Sequence, residues 1–255
     1  MEVIVKKDYT EISKLAAKKI ADVIKSKSKP VIGLATGSTP LGTYKELVNL
    51  HKDEGLDWSK VITFNLDEYV GIDPSHDQSY YYFMRENLFK SVNIKKENIH
   101  VPNGIAKDIS AFCKWYEDEI IKNGGIDVQL LGIGGNGHIA FNEPGSSLGS
   151  RTRVKTLDEQ TRKDNARFFK SMDEVPKYAV TMGIGTIMDA RELILLANKE
   201  TKADAIAKTV EGPVTAMVPA TIVQMHPKAT IIIDKPAAGK LSREYPEEPR
   251  IFNIK

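Results

Sequence analysis

The chain is almost without cysteine. Cys113 stands alone among 255 residues, which excludes an internal disulfide and fits a reducing, cytoplasmic setting. Charge of one sign is lacking too: 36 Lys and Arg face 34 Asp and Glu, a net of +2. With no basic block interleaved with aromatics, a nucleic-acid surface is not expected. No apolar run approaches the roughly 20 residues of a membrane span, and the opening Met-Glu-Val-Ile-Val-Lys-Lys lacks the charged head and apolar core of a signal peptide. The histidines, at 51, 76, 100, 138 and 226, fall at no ligand spacing and the only thiol is distant, so neither a metal nor another cofactor is expected. Repeats, low-complexity segments and composition shifts are absent as well, which leaves one domain over residues 1–255.

What is present is an alternation. Apolar strand patterns at 3–5, 30–36, 61–66, 99–101, 126–133, 178–184, 193–197 and 230–233 are separated by stretches with helical periodicity. These fall at 9–25, 40–51, 80–90, 109–121, 161–169, 185–190, 202–210 and 218–224. Residues 143–158 show neither pattern, and the chain ends in a short tail from Pro246. Strands alternating with helices of this length predict a three-layer α/β/α sandwich around a mostly parallel, Rossmann-like sheet. In such sheets ligands bind beyond the C-terminal ends of the strands.

Three loops at those ends carry chemistry. The first is Ala35-Thr36-Gly37-Ser38-Thr39-Pro40, where Thr39 fits an N-cap and Pro40 a first helical residue, leaving backbone amides to attract an anion. A simple capped turn is the plainer alternative. The second is Asp67, which follows a largely apolar strand. A partly desolvated carboxylate there has a raised pKa suited to removing a proton from carbon, although a solvated Asp67-Glu68 loop fits the residues too. The third packs four glycines, His138 and Glu143 into residues 132–144. An imidazole beside a carboxylate can pass a proton to and from a sugar oxygen, but a lone His is more often a satisfied structural residue than a catalyst. Neither loop reads as a Walker motif or as a dinucleotide fingerprint opening a long helix.

Taken together, Leu66-Asp-Glu-Tyr69, Gly137-His-Ile-Ala-Phe-Asn-Glu-Pro144, Ser150-Arg-Thr-Arg153 and the 35–40 loop resemble the glucosamine-6-phosphate deaminases, nearly end to end. The strand-glycine-His pattern is shared with 6-phosphogluconolactonases, whereas His-Ile-Ala-Phe-Asn-Glu-Pro with Asp-Glu-Tyr is narrower. The resemblance implies ring opening of glucosamine 6-phosphate, isomerisation towards a ketose and hydrolysis of the imine to fructose 6-phosphate and ammonia, without a cofactor. By the same resemblance Asp67 moves a proton between C2 and C1, His138 acts at the ring oxygen, and Glu143 and Asn136 assist it. The phosphate falls to Thr36, Gly37, Ser38, Thr39, Arg167 and Lys202. Asn136 departs from the family's usual Asp; being neutral, it leaves Glu143 as the main charge partner of His138. Some relatives are hexamers activated by N-acetylglucosamine 6-phosphate at residues resembling Ser146, Arg153 and Lys155, so the resemblance leaves both a homo-oligomer and an allosteric site open. The competing expectations are a 6-phosphogluconolactonase-like hydrolase and a sugar-phosphate sensor without catalysis.

Overall fold

The computed structural model describes residues 1–166, 169 and 171–249, the side chains of 160, 164, 165 and 173 excepted. Seven strands form one wholly parallel sheet. In chain order they are β1 (Glu2–Lys6), β2 (Val31–Leu34), β3 (Ile62–Asn65), β5 (Ile99–His100), β6 (Val128–Leu131), β9 (Leu193–Ala197) and β10 (Ala229–Asp234). Across the sheet their order is β1-β10-β9-β6-β2-β3-β5. The inner strands are buried along their whole length because both faces are covered. In β9, for example, Leu193 and Leu195 enter one core and Ile194 and Leu196 the other.

One face is covered by α1 (Tyr9–Ser26), α2 (Leu41–Glu54) and α3 (Tyr80–Asn87), whose Ile12, Ala16, Ile20, Tyr44, Leu47 and Met84 are buried against it. The other is covered by α4 (Ile109–Lys122), α6 (Ile184–Met188) and α7 (Ala203–Glu211), contributing Tyr116, Ile120, Ile184, Ile187 and Ile206. Each fully buried aliphatic side chain of this kind is worth roughly 1.5–3 kcal/mol. The three-layer α/β/α architecture expected from the sequence is therefore the observed one, with a stricter parallel sheet. Among the described residues no helix is long and apolar enough to cross a membrane.

A second, three-stranded antiparallel sheet departs from that expectation. It consists of β4 (Asp67–Tyr69), β7 (Arg153–Thr156) and β8 (Tyr178–Thr181), in the order β4-β8-β7. The 143–158 stretch, expected to be irregular, thus contains a strand, and the strand expected at 178–184 lies outside the parallel sheet. A short helix, α5 (Glu159–Asn165), follows β7, and the helix expected at 161–169 begins earlier than the sequence suggests. The helix expected at 218–224 is a 3₁₀ segment, Pro219–Met225.

The two sheets meet at Leu66. Its amide still donates to Leu34 of the parallel sheet (3.0 Å), while its carbonyl accepts from Met182 just beyond β8 (2.7 Å). One residue later, Asp67 stands opposite Thr181. The seam lies at the C-terminal ends of β2, β3 and β6, where the three candidate loops emerge.

Candidate active site

The 35–40 loop is held from two helices. The Tyr44 hydroxyl donates to the Ala35 carbonyl and accepts the Ala35 amide (3.2 Å). On the other side the Tyr9 hydroxyl, from the first turn of α1, lies 2.9 Å from the Thr39 carbonyl and 3.1 Å from that of Ser38, and accepts the Gly42 amide (2.7 Å). The expected Thr39 cap is not formed. Pro40 occupies the cap position without a side-chain bond, and Thr39 Oγ1 donates instead to Asn198 Oδ1 (3.1 Å) beyond β9. Tyr9 therefore satisfies an amide of the first turn of α2 that a capping side chain would otherwise reach. Gly37 adopts φ +102°, a conformation costly for other residues. Among the described residues, the amides of 37–39 donate to nothing.

Asp67 is 6% exposed. No group among the described residues donates a hydrogen bond to its carboxylate. Burial, and then the charge of Glu68, push its pKa up to about 8. The hydroxyls of Tyr44, Tyr80 and Tyr116, which approach from α2, α3 and α4, are raised in turn, chiefly by burial and in part by Asp67. The alternative of a solvated acidic loop is excluded, because Glu68 is only 2% exposed.

The glycine-rich turn aims His138 back over its own start. The Gly134 amide donates to the His138 carbonyl (2.9 Å) and the Gly137 amide to the Gly134 carbonyl (3.0 Å), closing a tight loop. A Cβ on Gly134 would fall 2.2 Å from the imidazole ring, so only glycine leaves the ring its place. His138 is 23% exposed at its side chain, and its Nδ1 lies 3.3 Å from Glu143 Oε2. Asn136 Nδ2 donates to the same oxygen (2.8 Å), Thr161 Oγ1 donates to Oε1, and Asn136 Oδ1 accepts the His138 amide (3.1 Å). Burial would raise the Glu143 pKa, but the His138 hydrogen bond and charge, with Thr161 and Asn136, outweigh it and bring it to about 2. Glu143 is thus held ionised beside the imidazole, and Asn136 braces the carboxylate and the loop.

The loops are joined to one another. The Phe141 amide donates to Thr181 Oγ1 (3.1 Å), directly across the small sheet from Asp67. Tyr80 spans the rest: its hydroxyl meets Thr36 and, at 3.3 Å, Tyr69, while its ring stacks on Phe141 at 6.0 Å. Lys202 closes the 3₁₀ turn Glu200–Lys202, four residues past the Asn198 tie to Thr39. Arg167 lies outside the described residues.

The expected allosteric residues Ser146, Arg153 and Lys155 fall just before and along β7. Ser146 is buried, and its amide is held by the Glu143 carbonyl (3.0 Å). Arg153 and Lys155 lie on β7. Arg153 lines a separate cleft of about 590 Å³ between α4 and β7, with Cys113, Glu117 and Arg151, and that cleft contains none of Asp67, His138 or Glu143. Among the described residues no three His, Cys, Asp or Glu side chains converge as a metal site. Sequence reasoning overlooked Tyr9, Glu68, Tyr80, Thr161 and Asn198. Only Glu68, adjacent to Asp67, left a signal that spacing could have caught.

Comparison with known proteins points to one family. A family model described as "Glucosamine-6-phosphate isomerases/6-phosphogluconolactonase" matches residues 7–232. The glucosamine-6-phosphate deaminase of Thermoanaerobacter pseudethanolicus is 55% identical over 244 residues, covering 96% of each chain. That of Clostridium acetobutylicum is 53% identical over 241 residues, 94% of this chain and 100% of the relative. Among solved structures, a glucosamine-6-phosphate deaminase described as monomeric superimposes with a TM-score of 0.92 at 45% identity, covering 94% of this chain and all of the other. A 6-phosphogluconolactonase from Trypanosoma brucei shares the fold at 23% identity and a TM-score of 0.72, covering 94% and 98%.

Proposed function

The chain belongs to the family of glucosamine-6-phosphate isomerases and 6-phosphogluconolactonases, and we propose that within it the chain is a glucosamine-6-phosphate deaminase acting in amino sugar catabolism, as one cytoplasmic domain. It converts D-glucosamine 6-phosphate and water to D-fructose 6-phosphate and ammonia. Relatives of that name at 50–55% identity over nearly the whole chain support this, whereas the lactonases share only the fold.

The observation that carries the assignment is the state of Asp67: buried, without a hydrogen-bond donor among the described residues, and raised to about 8. Such a carboxylate lacks a cation. The ammonium on C2 of the substrate supplies one, stabilising the ionised form at the moment it is needed as a base. A sugar lactone has no such group.

The steps follow from placement. The phosphate is held by the free amides of 37–39 at the start of α2, with Arg167 and Lys202 implied by the resemblance. Held at that end, the sugar lays its ring towards His138, which carries the anomeric hydroxyl proton to the ring oxygen and opens the ring. Ionised Glu143 stabilises the imidazolium that forms. Asp67 then removes the C2 proton and returns it to C1, leaving an imine at C2. Water adds to that imine, and ammonia departs with the nitrogen. Remote binding of the dianionic phosphate positions the reacting carbons, where positioning is a large part of the rate.

The test is release of ammonia and fructose 6-phosphate by wild type and Asp67→Asn. Wild type is expected to turn over, and the variant to lose about 10²–10⁴-fold in kcat while still binding the substrate. Absence of ammonia from wild type, or wild-type turnover by the variant, would overturn the proposal.

A further inference from the structure

We infer that Glu68 is a positioning residue for this reaction, its buried carboxylate tying Asp67 to the first turn of α3 so that the three loops of the site keep one arrangement. This rests on the deaminase reading above and adds a residue to its site.

Glu68 Oε1 accepts the amides of Tyr69 (2.9 Å) and Tyr80 (2.9 Å), and Oε2 accepts that of Tyr81 (3.0 Å). No cation lies within ion-pair distance of it among the described residues. With Ser79 taking the Tyr82 amide (2.9 Å), the first three amides of α3 are all satisfied by two side chains. The helix start is therefore fastened to the residue that follows Asp67 in the chain. Tyr80, the first residue of α3, is thereby fixed, and Tyr80 is the side chain that touches Thr36 of the phosphate loop, Tyr69 of β4 and Phe141 of the His138 turn. A shift at Glu68 is transmitted to every loop that holds the sugar.

Capping a helix does not require a charge here. The single oxygen of a neutral amide still accepts some of these N–H groups, and burying a carboxylate without a cation is costly. Burial raises the Glu68 pKa to about 7, and above that pH its charge acts on Asp67, the neighbour it helps to hold protonated. The groups facing Asp67 are Glu68 and the hydroxyls of Tyr44, Tyr80 and Tyr116; those facing Glu68 are the three amides. Removing the Glu68 charge therefore lowers the pH at which Asp67 becomes a base.

The experiment compares wild type, Glu68→Gln and Glu68→Asp in ammonia release from glucosamine 6-phosphate between pH 5 and 9. Glu68→Gln keeps one acceptor and loses the charge. Its kcat is expected to fall about tenfold or more with KM within about threefold, and the acid limb of its kcat/KM profile to move down by about half a pH unit or more. Glu68→Asp keeps the charge but is one methylene too short for the Tyr80 and Tyr81 amides. Its kcat is expected to fall with the acid limb in place, and this variant carries the test if Glu68→Gln does not fold. Wild-type kcat and an unmoved limb in Glu68→Gln, or wild-type kcat in Glu68→Asp, overturn the inference. A wild type that releases no ammonia is the failure of the deaminase reading, and is seen before either variant is needed.

Discussion

Gly134→Ala tests whether the glycine-rich turn exists to seat the imidazole. The alanine methyl would stand 2.2 Å from His138 Cε1 and 2.4 Å from each ring nitrogen. Carbon contacts settle near 3.5 Å, so the ring must retreat by roughly 1 Å. The backbone at Gly134 is not left-handed, so the substitution acts by collision alone. Moving the ring that far breaks its approach to Glu143, now 3.3 Å. A displacement of about 1 Å in a catalytic group costs about 10²-fold, or about 2.7 kcal/mol of transition-state stabilisation. Overpacking adds about 1–3 kcal/mol of lost stability, which lowers Tm by a few degrees in a chain of this size. The assay is kcat for ammonia release together with a melting curve. Gly135→Ala is the control: a Cβ there meets nothing within 4 Å, and wild-type activity is expected. If Gly134→Ala kept kcat within about twofold of wild type, or if Gly135→Ala were equally impaired, the turn would not be the seat of the ring and the placement of His138 would be wrong.

Asp67→Asn should also stabilise the protein in a pH-dependent way. The folded pKa of about 8 lies above the ordinary aspartate value of 3.8, so the stability tied to the Asp67 proton is complete below about pH 4 and is lost as pH rises through about 8. The Tm advantage of the variant is therefore expected to grow from pH 4 to pH 9, and a constant difference would contradict the burial argument. Tyr9→Phe removes the hydroxyl that holds the Ser38 and Thr39 carbonyls and the Gly42 amide. The loss of about 1 kcal/mol should appear as a KM roughly fivefold higher with kcat nearly unchanged, and inorganic phosphate should inhibit correspondingly less. An unaltered KM would show that the loop stands without Tyr9.

The parallel sheet was legible because its strands are buried on both faces and read as short, mostly apolar runs, as in 193–197 and 231–233. The small sheet was not. Arg153–Thr156 alternates half-buried cations with exposed Val154 and Thr156, a pattern without an apolar face. The 178–184 run looks the same whichever sheet receives it. Local cap rules suggested Thr39, but a tyrosine 30 residues earlier in the chain took that part, and nothing local to the loop could have announced it. The pairing of His138 and Glu143, five residues apart, was suggested by their place in one glycine-rich stretch and not by any periodicity. Thr161 and Tyr80 reach the site only through tertiary packing. Asp67 lay between these extremes: an apolar strand ahead of it suggested desolvation, while the turn from one sheet into the next, which excludes the solvent, is visible only in the fold.

In the proposed reading the loop after β2 offers an anion its main-chain hydrogens, Thr39 already being engaged with Asn198. Recognition written in the peptide backbone has no side group to delete, so Ser38 and Thr39 could drift in composition while the grip on an anion endures. Alanine at Ser38 or Thr39 would have small effects. Replacing an amide by an ester, or inserting an imino acid at 38, would strike it directly.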